Sequence, residues 1–339
     1  MNSRVLRIDP RDNVFVALTN LKSGDVVDCS GKSQTLASDV PAKQKFAIKP
    51  FAPGDHVVMY GGVVGTAVKP IAAGEVVTTT NIRHEASPFR SQEEEFHWSA
   101  PDVSKWKDRT FLGYARPDGQ VGTRNYWLVV PLVFCENKNI QVLKQAFEEE
   151  LGFAAPQLYR QQVAEMAKLY REGKLDQFGA GVPAGNGSDK PSNRLFENVD
   201  GIRFLLHEGG CGGTHEDSKN LCGLIAGYIH HPNVAGATVL SLGCQHAQIR
   251  ILQEEIRKRN PAFDKPLFIF EQQQSGSEAA MMTEAIRKTF LGLAEANKAQ
   301  RTPAPLSKLC VGLKCGGSDG FSGISANPAI GHTSDLLAA

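Results

Sequence analysis

A chain of 339 residues, 41% hydrophobic and 22% charged, has the composition of an ordinary soluble protein and is long enough for more than one core. A formal net charge of +1 gives no electrostatic case for nucleic acid or an anionic membrane surface, and no apolar run approaches the length of a membrane span. Seven cysteines without C-x-x-C spacing argue against a disulfide framework or a zinc finger and for a reducing compartment, read here as the cytoplasm. The first residues, Met1 to Arg7, show no signal-peptide apolar core.

Residues 1–84 read as a small β-domain. Strands are expected at 14–18, 45–48, 57–60, 63–67 and 76–78, separated by turn signals. One pattern recurs at Gly24, Gly54 and Gly74, a glycine followed by Asp or Glu and, two residues later, by valine. Three such turns in one small domain suggest a compact β-clip or barrel. Residues 85–110, with Pro88, Pro101 and the acidic run Glu93-Glu94-Glu95, read as a surface linker pinned by Phe96, Trp98 and Trp106.

From residue 111 onward strands and helices alternate. A glycine-rich turn carrying Arg116, Asp118, Thr123, Arg124 and Asn125 precedes a strand at 127–133, in which Pro131 argues against a central place. The two guanidiniums would suit a carboxylate-bearing substrate; internal salt bridges in an ordered turn are the alternative. Ile140, Leu143 and Phe147 mark a helix, and residues 178–198 read as a long loop. Further strands are expected at 202–206, 237–242, 267–270 and 309–313. The helices are marked by Leu221, Leu224, Ile225 and Tyr228, by Ile249, Leu252 and Ile256, and by Met282, Ile286 and Phe290. A last helix begins near Asn327, which suggests an α/β unit interrupted at the C-terminus.

If the strands from 202 onward are parallel, their polar ends meet on one edge, where open α/β sheets bind ligands. Those ends carry His207 and Cys211 in a four-glycine stretch, then Cys244, then Cys315, Ser318 and Asp319. Cys222 and Cys310 read as small core residues. Three converging thiols would fit an iron–sulfur cluster; mixed with His207 and carboxylates they would fit one divalent metal. Cys211 with His207 or His215 would instead fit a cysteine hydrolase. No Gly-x-Gly-x-x-Gly follows a strand, which leaves a dinucleotide site unsupported.

Several blocks, in order, resemble the altronate/galactarate dehydratase family. They are residues 113–126 (Gly-Tyr-Ala-Arg-Pro-Asp-Gly-Gln-Val-Gly-Thr-Arg-Asn-Tyr), 207–213 (His-Glu-Gly-Gly-Cys-Gly-Gly), 226–234 (Ala-Gly-Tyr-Ile-His-His-Pro-Asn-Val), 242–245 (Leu-Gly-Cys-Gln) and 313–329 (Leu-Lys-Cys-Gly-Gly-Ser-Asp-Gly-Phe-Ser-Gly-Ile-Ser-Ala-Asn-Pro-Ala). Residues 1–84 similarly resemble the SAF-type β-clip domain that opens such proteins. The resemblance implies an SAF-like domain (1–84), a linker (85–110) and a Rossmann-like α/β domain with a mostly parallel sheet (111–339), C-terminally incomplete. It also implies a hydro-lyase that converts D-altronate to 2-dehydro-3-deoxy-D-gluconate in hexuronate breakdown, with galactarate the rival substrate. The cofactor implied is iron(II) or manganese(II), with an iron–sulfur cluster as the alternative. The partner expected is a small sugar acid, not nucleic acid or membrane, and a homo-oligomer is compatible with it. On this reading His207, Cys211 and Asp319 are catalytic. Arg116, Asp118, Thr123, Arg124, Asn125 and Ser318 hold substrate, and Cys211, Cys244 and Cys315 hold metal. A truncated, inactive binding or assembly module is the competing expectation. Relatives carry Gly-His-Lys where this chain has Lys43-Gln44-Lys45, and His-Thr-His-Asn where it has Thr78-Thr79-Thr80-Asn81, so a ligand role for the first domain, with His84 its nearest imidazole, is not carried over.

Overall fold

The computed structural model describes residues 4–85, 97–154, 158–174, 194–314, 316–317 and 321–339. Contacts divide the chain into two compact units, Met1–Trp106 with Val311–Ala339, and Lys107–Cys310.

The first unit is β-rich. Its strands are β1 (Val5–Leu6), β2 (Val14–Ala17), β3 (Val26–Asp28), β4 (Ser33–Thr35), β5 (Lys45–Ala47), β6 (His56–Met59), β7 (Gly62–Ala67), β8 (Val76–Val77) and β9 (Ile82–His84). They form three antiparallel sheets, ordered β1-β2-β5-β8, β3-β4 and β6-β7-β9. Val14, Val16, Phe51, Val57 and Ile71 fill one core, against which Phe321 and Ile324 also pack. Phe15, Leu21, Leu36, Val40 and Phe46 fill a second. The C-terminal segment adds one helix to this unit, Ala326–Ala338, where the sequence pattern places one.

The repeated glycine motif is a repeated turn. Asp25, Asp55 and Glu75 each donate a backbone N–H to the carbonyl three residues back, at 3.0, 3.0 and 3.1 Å. Their carboxylates return to the backbone N–H of Lys22, Ala52 and Ala72 at 3.1, 2.7 and 2.7 Å. The third position needs a positive φ, which glycine supplies: +84° at Gly24, +96° at Gly54 and +80° at Gly74. A fourth turn of this shape, Pro41 to Gln44, puts Lys43 at φ +75°, and it escapes the sequence pattern because no glycine marks it. The side chain of Asn81 also serves a turn, accepting from Thr78 N at 2.8 Å and donating to Val76 O at 2.9 Å.

The second unit is a doubly wound α/β layer. Its parallel strands are β12 (Tyr126–Pro131), β13 (Gly201–Phe204), β14 (Val234–Ser241) and β15 (Leu267–Glu271). They are ordered β13-β12-β14-β15 and every pairing is parallel. A small antiparallel sheet, β11-β10-β16, adjoins them, from β10 (Thr110–Ala115), β11 (Val121–Gly122) and β16 (Thr302–Pro305). Helices α1 (Asn137–Glu150) and α5 (Glu278–Ala296) cover one face of the parallel sheet through Ile140, Leu143, Phe147, Met281, Ala285 and Leu293. Helices α3 (His215–His230) and α4 (Ile249–Arg259) cover the other through Cys222, Ile225, Ala226, Ile229, Leu252 and Ile256. Helix α2 (Leu158–Arg171) lies between α1 and β13 in sequence. No helix among the described residues is long and apolar enough to cross a membrane.

Trp127 is the largest fully buried side chain, and the sheet and α5 are cut to fit it. A Cβ on Gly236 would fall 2.5 Å from the indole, and one on Gly292 2.2 Å from it. The indole N–H donates to Thr238 Oγ1 at 3.0 Å, and Thr238 pairs with Thr289 at 2.7 Å, so no polar atom is stranded in this slot.

Four expectations are corrected here. Residues 309–313 form no strand; the last strand, β16, instead pairs antiparallel with β10. Cys310, expected inside that strand, is exposed. Pro131 does not push β12 outward: it is the last residue of a central strand, where a missing N–H disturbs the ladder least. The large apolar residues chosen for α3 and α5 also mark the wrong stripe in part. Leu224 and Tyr228 are 59% and 47% exposed, and Ile286 and Phe290 are each 40% exposed. The faces turned to the sheet are Cys222, Ala226 and Ile229 on α3, and Met281, Ala285, Gly292 and Leu293 on α5. Small residues there let helix and sheet approach closely.

The turns give a paired prediction for the first unit. Gly24→Ala meets open space and carries only the left-handed backbone penalty, about 1 kcal/mol. Gly74→Ala also drives a Cβ to 2.3 Å from the Thr35 carbonyl oxygen, and is expected to destabilise by about 3 kcal/mol. Urea denaturation of the two variants checks this; equal midpoints would refute the close approach at Gly74.

Candidate active site at the carboxyl edge of the parallel sheet

The strand order decides where a crevice opens. From β12 the chain crosses to β13 on one side, whereas from β14 it crosses to β15 on the other. The loops after β12 and β14 therefore diverge, and a doubly wound sheet binds ligands at that switch point. All four carboxyl-end loops are stitched together there. Phe134 N donates to Gly209 O at 3.0 Å, Ala247 N to Gly210 O at 3.0 Å, and Gln273 N to Leu242 O at 3.2 Å. Gly210, at φ +97°, cannot be replaced without strain, because a Cβ would lie 2.4 Å from the Leu132 carbonyl oxygen.

Three of the expected site residues stand on this edge. Cys211 and Cys244 are exposed thiols on the loops after β13 and β14. His207 is there too, but both ring nitrogens are engaged. Nε2 donates to Pro131 O at 2.7 Å, and Nδ1 accepts from Gly209 N at 3.2 Å. That fixes a neutral tautomer and makes the ring a pin between two loops, not a free base or ligand. A Cys211–His207 nucleophile pair is disfavoured for the same reason. Cys315, Ser318 and Asp319 lie outside the described residues. Cys222 is buried in α3 as expected, and burial pushes its thiol up to about 11.

The other five are at the opposite edge. Asn125 immediately precedes β12, as Asp200 precedes β13 and Asn233 precedes β14. The six-residue strand β12 separates this edge from the thiols by on the order of 20 Å. Here the polar groups hold backbone. Arg116 donates to the carbonyls of Pro232 at 2.7 Å and Arg124 at 3.2 Å, and to Asn125 Oδ1 at 3.1 Å. Asn125, fully buried, donates to Asn198 O at 2.9 Å and Ala296 O at 3.0 Å. Thr123 N and Arg124 N donate to Asn233 Oδ1 at 2.7 and 3.1 Å, and Arg124 pairs with Asp200 at 3.2 Å. Asp118 accepts from the Gln120 backbone N–H at 3.1 Å and its side-chain amide at 2.8 Å. Lys265 caps α3 here, donating to His231 O at 2.8 Å and His230 O at 2.9 Å, while burial first and the neighbouring Arg116 next pull its pKa down to about 8. The ordered-turn reading of this block fits the geometry, and the substrate-clamp reading finds no free guanidinium.

Four further residues stand on the carboxyl edge, of which only His215 was given a role from the sequence. His215 opens α3 and His246 follows Cys244; both are exposed and their rings are 5.4 Å apart. Gln245 is buried, its Oε1 accepting from Gly243 N at 2.6 Å. Glu136 is 1% exposed and ends the loop after β12; its Oε2 accepts from Asn139 Nδ2 at 2.8 Å. The one available signal was position, a polar residue within a few places of an apolar run's end. A separate groove of about 460 Å³ between α3 and α4 is lined by Lys219, Asn220, Tyr228, His231, Glu255 and Arg259 among others.

Among the described residues no group of three or more His, Cys, Asp or Glu side chains is arranged to hold a metal ion. Cys211 and Cys244 therefore do not make a metal or cluster site by themselves.

The altronate/galactarate dehydratase SAF domain model matches residues 3–85, the D-galactarate dehydratase/altronate hydrolase second-domain model matches 113–297, and the C-terminal model of the same group matches 306–339. The class is that of an SAF domain joined to a doubly wound α/β domain. The chain belongs to the D-galactarate dehydratase/altronate hydrolase family. It is 30% identical to an altronate dehydratase of Bacillus subtilis (strain 168) over 98% of this chain and 57% of that protein. It is 29% identical to an altronate dehydratase of Escherichia coli (strain K12), over 98% and 58%. It is 25% identical to a galactarate dehydratase (L-threo-forming) of the same organism, over 98% and 56%. The chain thus spans a little over half the length of these relatives.

The two edges make opposite demands on mutation. Asn125→Ala removes three side-chain hydrogen bonds at once, those to the Asn198 and Ala296 carbonyls and the one accepted from Arg116, and is expected to destabilise by about 3 kcal/mol. Arg124→Ala removes an ion pair whose arginine side chain is 55% exposed, and should cost under about 1 kcal/mol. Chemical denaturation of the second unit's signal in both variants checks this; an Asn125 variant as stable as wild type would overturn the structural role.

Proposed function

We propose that this chain is a hydro-lyase acting on a sugar acid, with D-altronate the first substrate to test and galactarate the second. The observation that supports this best is the match to altronate dehydratases over 98% of the chain, through both structural units. The geometry of the carboxyl edge is compatible with it. Dehydration of a 2,3-dihydroxy acid needs a base for the weakly acidic C2 proton and help for the departing C3 hydroxyl. With His207 tied to backbone, the exposed pair His215 and His246 is the better source of the base.

The substrate carboxylate also needs a new partner, since the arginines stand at the far edge. Every helix that follows a parallel strand begins at the carboxyl edge, so the N-termini of α1, α3, α4 and α5 gather there. Unpaired N–H groups and the helix dipole favour an anion at such ends, and the glycines at 209, 210, 212 and 213 allow backbone amides to approach it. A bound iron(II) or manganese(II) ion would stabilise the enediolate that forms when C2 loses its proton. Cys211 and Cys244 are its proposed donors on this edge. The described donors do not complete that site, so no step is drawn through the ion.

The test is anaerobic incubation of the full-length protein with each acid, with and without added iron(II) or manganese(II), reading the 2-oxo-3-deoxy product. Turnover of altronate above galactarate is expected, with kcat reduced by about 100-fold in His246→Ala. Turnover of neither acid under any of these conditions would remove the enzyme reading.

A further inference from the structure

The loop after β12 carries a carboxyl that the reading above leaves unused. Glu136 lies on the inner side of the switch point, between the loop after β13 and the start of α5. Its neighbour Asn137 donates to His207 O at 2.9 Å, and the Glu278 carboxylate at the head of α5 is close enough to act on it electrostatically. The residue is 1% exposed, yet Oε1 has no hydrogen-bond partner among the described residues; Asn137 Oδ1, next to it, is likewise buried and unpartnered. An unsatisfied buried oxygen costs about 1–3 kcal/mol, so a fold that retains one at its ligand crevice invites a functional reason. Glu136 occupies the position before α1, where a side chain normally caps the helix, and it makes no capping bond. Its one bond to α1, from the Asn139 side chain, uses Oε2 and leaves Oε1 unspent. Burial first, then the Glu278 charge, raise its pKa against the opposing bond from Asn139, which favours the neutral acid.

We propose that Glu136 is the proton donor to the departing C3 hydroxyl, a role that rests on the dehydratase reading above. In this step the base takes the C2 proton, and the C2–H pair becomes the C2–C3 double bond. The C3–O bond breaks with its electron pair on oxygen. The Glu136 carboxyl proton passes to that oxygen, so water leaves and a carboxylate remains. The enol product takes a proton from solvent at C3 and releases its C2 hydroxyl proton to solvent, becoming the 2-oxo acid. The proton held by the base returns to Glu136 through solvent, which closes the cycle. Substrate reaches the carboxyl by opening the seam between the loops, which backbone hydrogen bonds and the side-chain bonds of His207 and Asn137 hold.

The experiment compares wild type, Glu136→Gln and Glu136→Asp on two substrates, the 2,3-dihydroxy acid and its 3-deoxy-3-fluoro analogue, whose fluoride leaves without a proton. The glutamine variant keeps the shape of the side chain, and its thermal midpoint reports whether the fold is intact. On the hydroxy acid Glu136→Gln should lower kcat by about 100-fold or more with KM changed less than about threefold. On the fluoro analogue it should stay within about threefold of wild type, and Glu136→Asp should be intermediate on the hydroxy acid. Undiminished turnover of the hydroxy acid by Glu136→Gln, or an equal loss on both substrates, overturns the proposal while leaving the dehydratase reading in place. Wild type inactive on both substrates overturns the two together.

Discussion

The parallel pairing of β12 with β14 is the constraint on which the second unit depends. These two strands are buried along nearly their whole length, and their connections leave in opposite directions. The pairing fixes which helices cover which face. It also sends every loop that follows a strand to one edge and every loop that precedes a strand to the other. The chemistry is sorted accordingly. Thiols, imidazoles, a buried carboxyl and helix N-termini collect at the carboxyl edge, while Arg116, Asn125, Asp200 and Asn233 close the amino edge with hydrogen bonds to backbone.

Much of this was legible in the sequence, and the parts that were not share a physical cause. The longer apolar strands of both units follow from apolar runs and turn signals, because a strand's side-chain period is simple and glycine marks its turns, whereas short or polar strands such as β1, β4, β11 and β16 leave no such pattern. The other helices were found but α2 was not, and two of those found were assigned partly wrong buried stripes. Leu224, Tyr228, Ile286 and Phe290 are larger and more apolar than Cys222, Ala226, Ala285 and Gly292, yet the small residues face the sheet. Packing distance, not hydrophobic size, chose the face. The turn at Lys43 was missed because the chain accepts a positive φ there without glycine.

The site was legible by position and illegible by role. The edge carrying Cys211 and Cys244 was found from the glycine-flanked strand ends. The glycine-rich block at 113–126 was read as a possible carboxylate clamp because arginines beside turns suit anions. A residue's place before or after its strand cannot be weighed until the sheet is ordered, and Arg116 and Arg124 precede theirs. His207 was favoured because it stands beside Cys211, but proximity in sequence says nothing of the two backbone partners that hold its ring. Glu136 lacked any motif; only its burial and its unpartnered oxygen single it out.

The slot around Trp127 has a spectroscopic corollary. The chain has three tryptophans, and only Trp127 belongs to the second unit. It is sealed from water, whereas Trp98 is 44% exposed and Trp106 is half-buried. Indole emission shifts to shorter wavelength in an apolar cage, so the blue component of this protein's fluorescence belongs to the sheet beneath the crevice. The loosening of that sheet can therefore be followed by light in the intact chain, without a label.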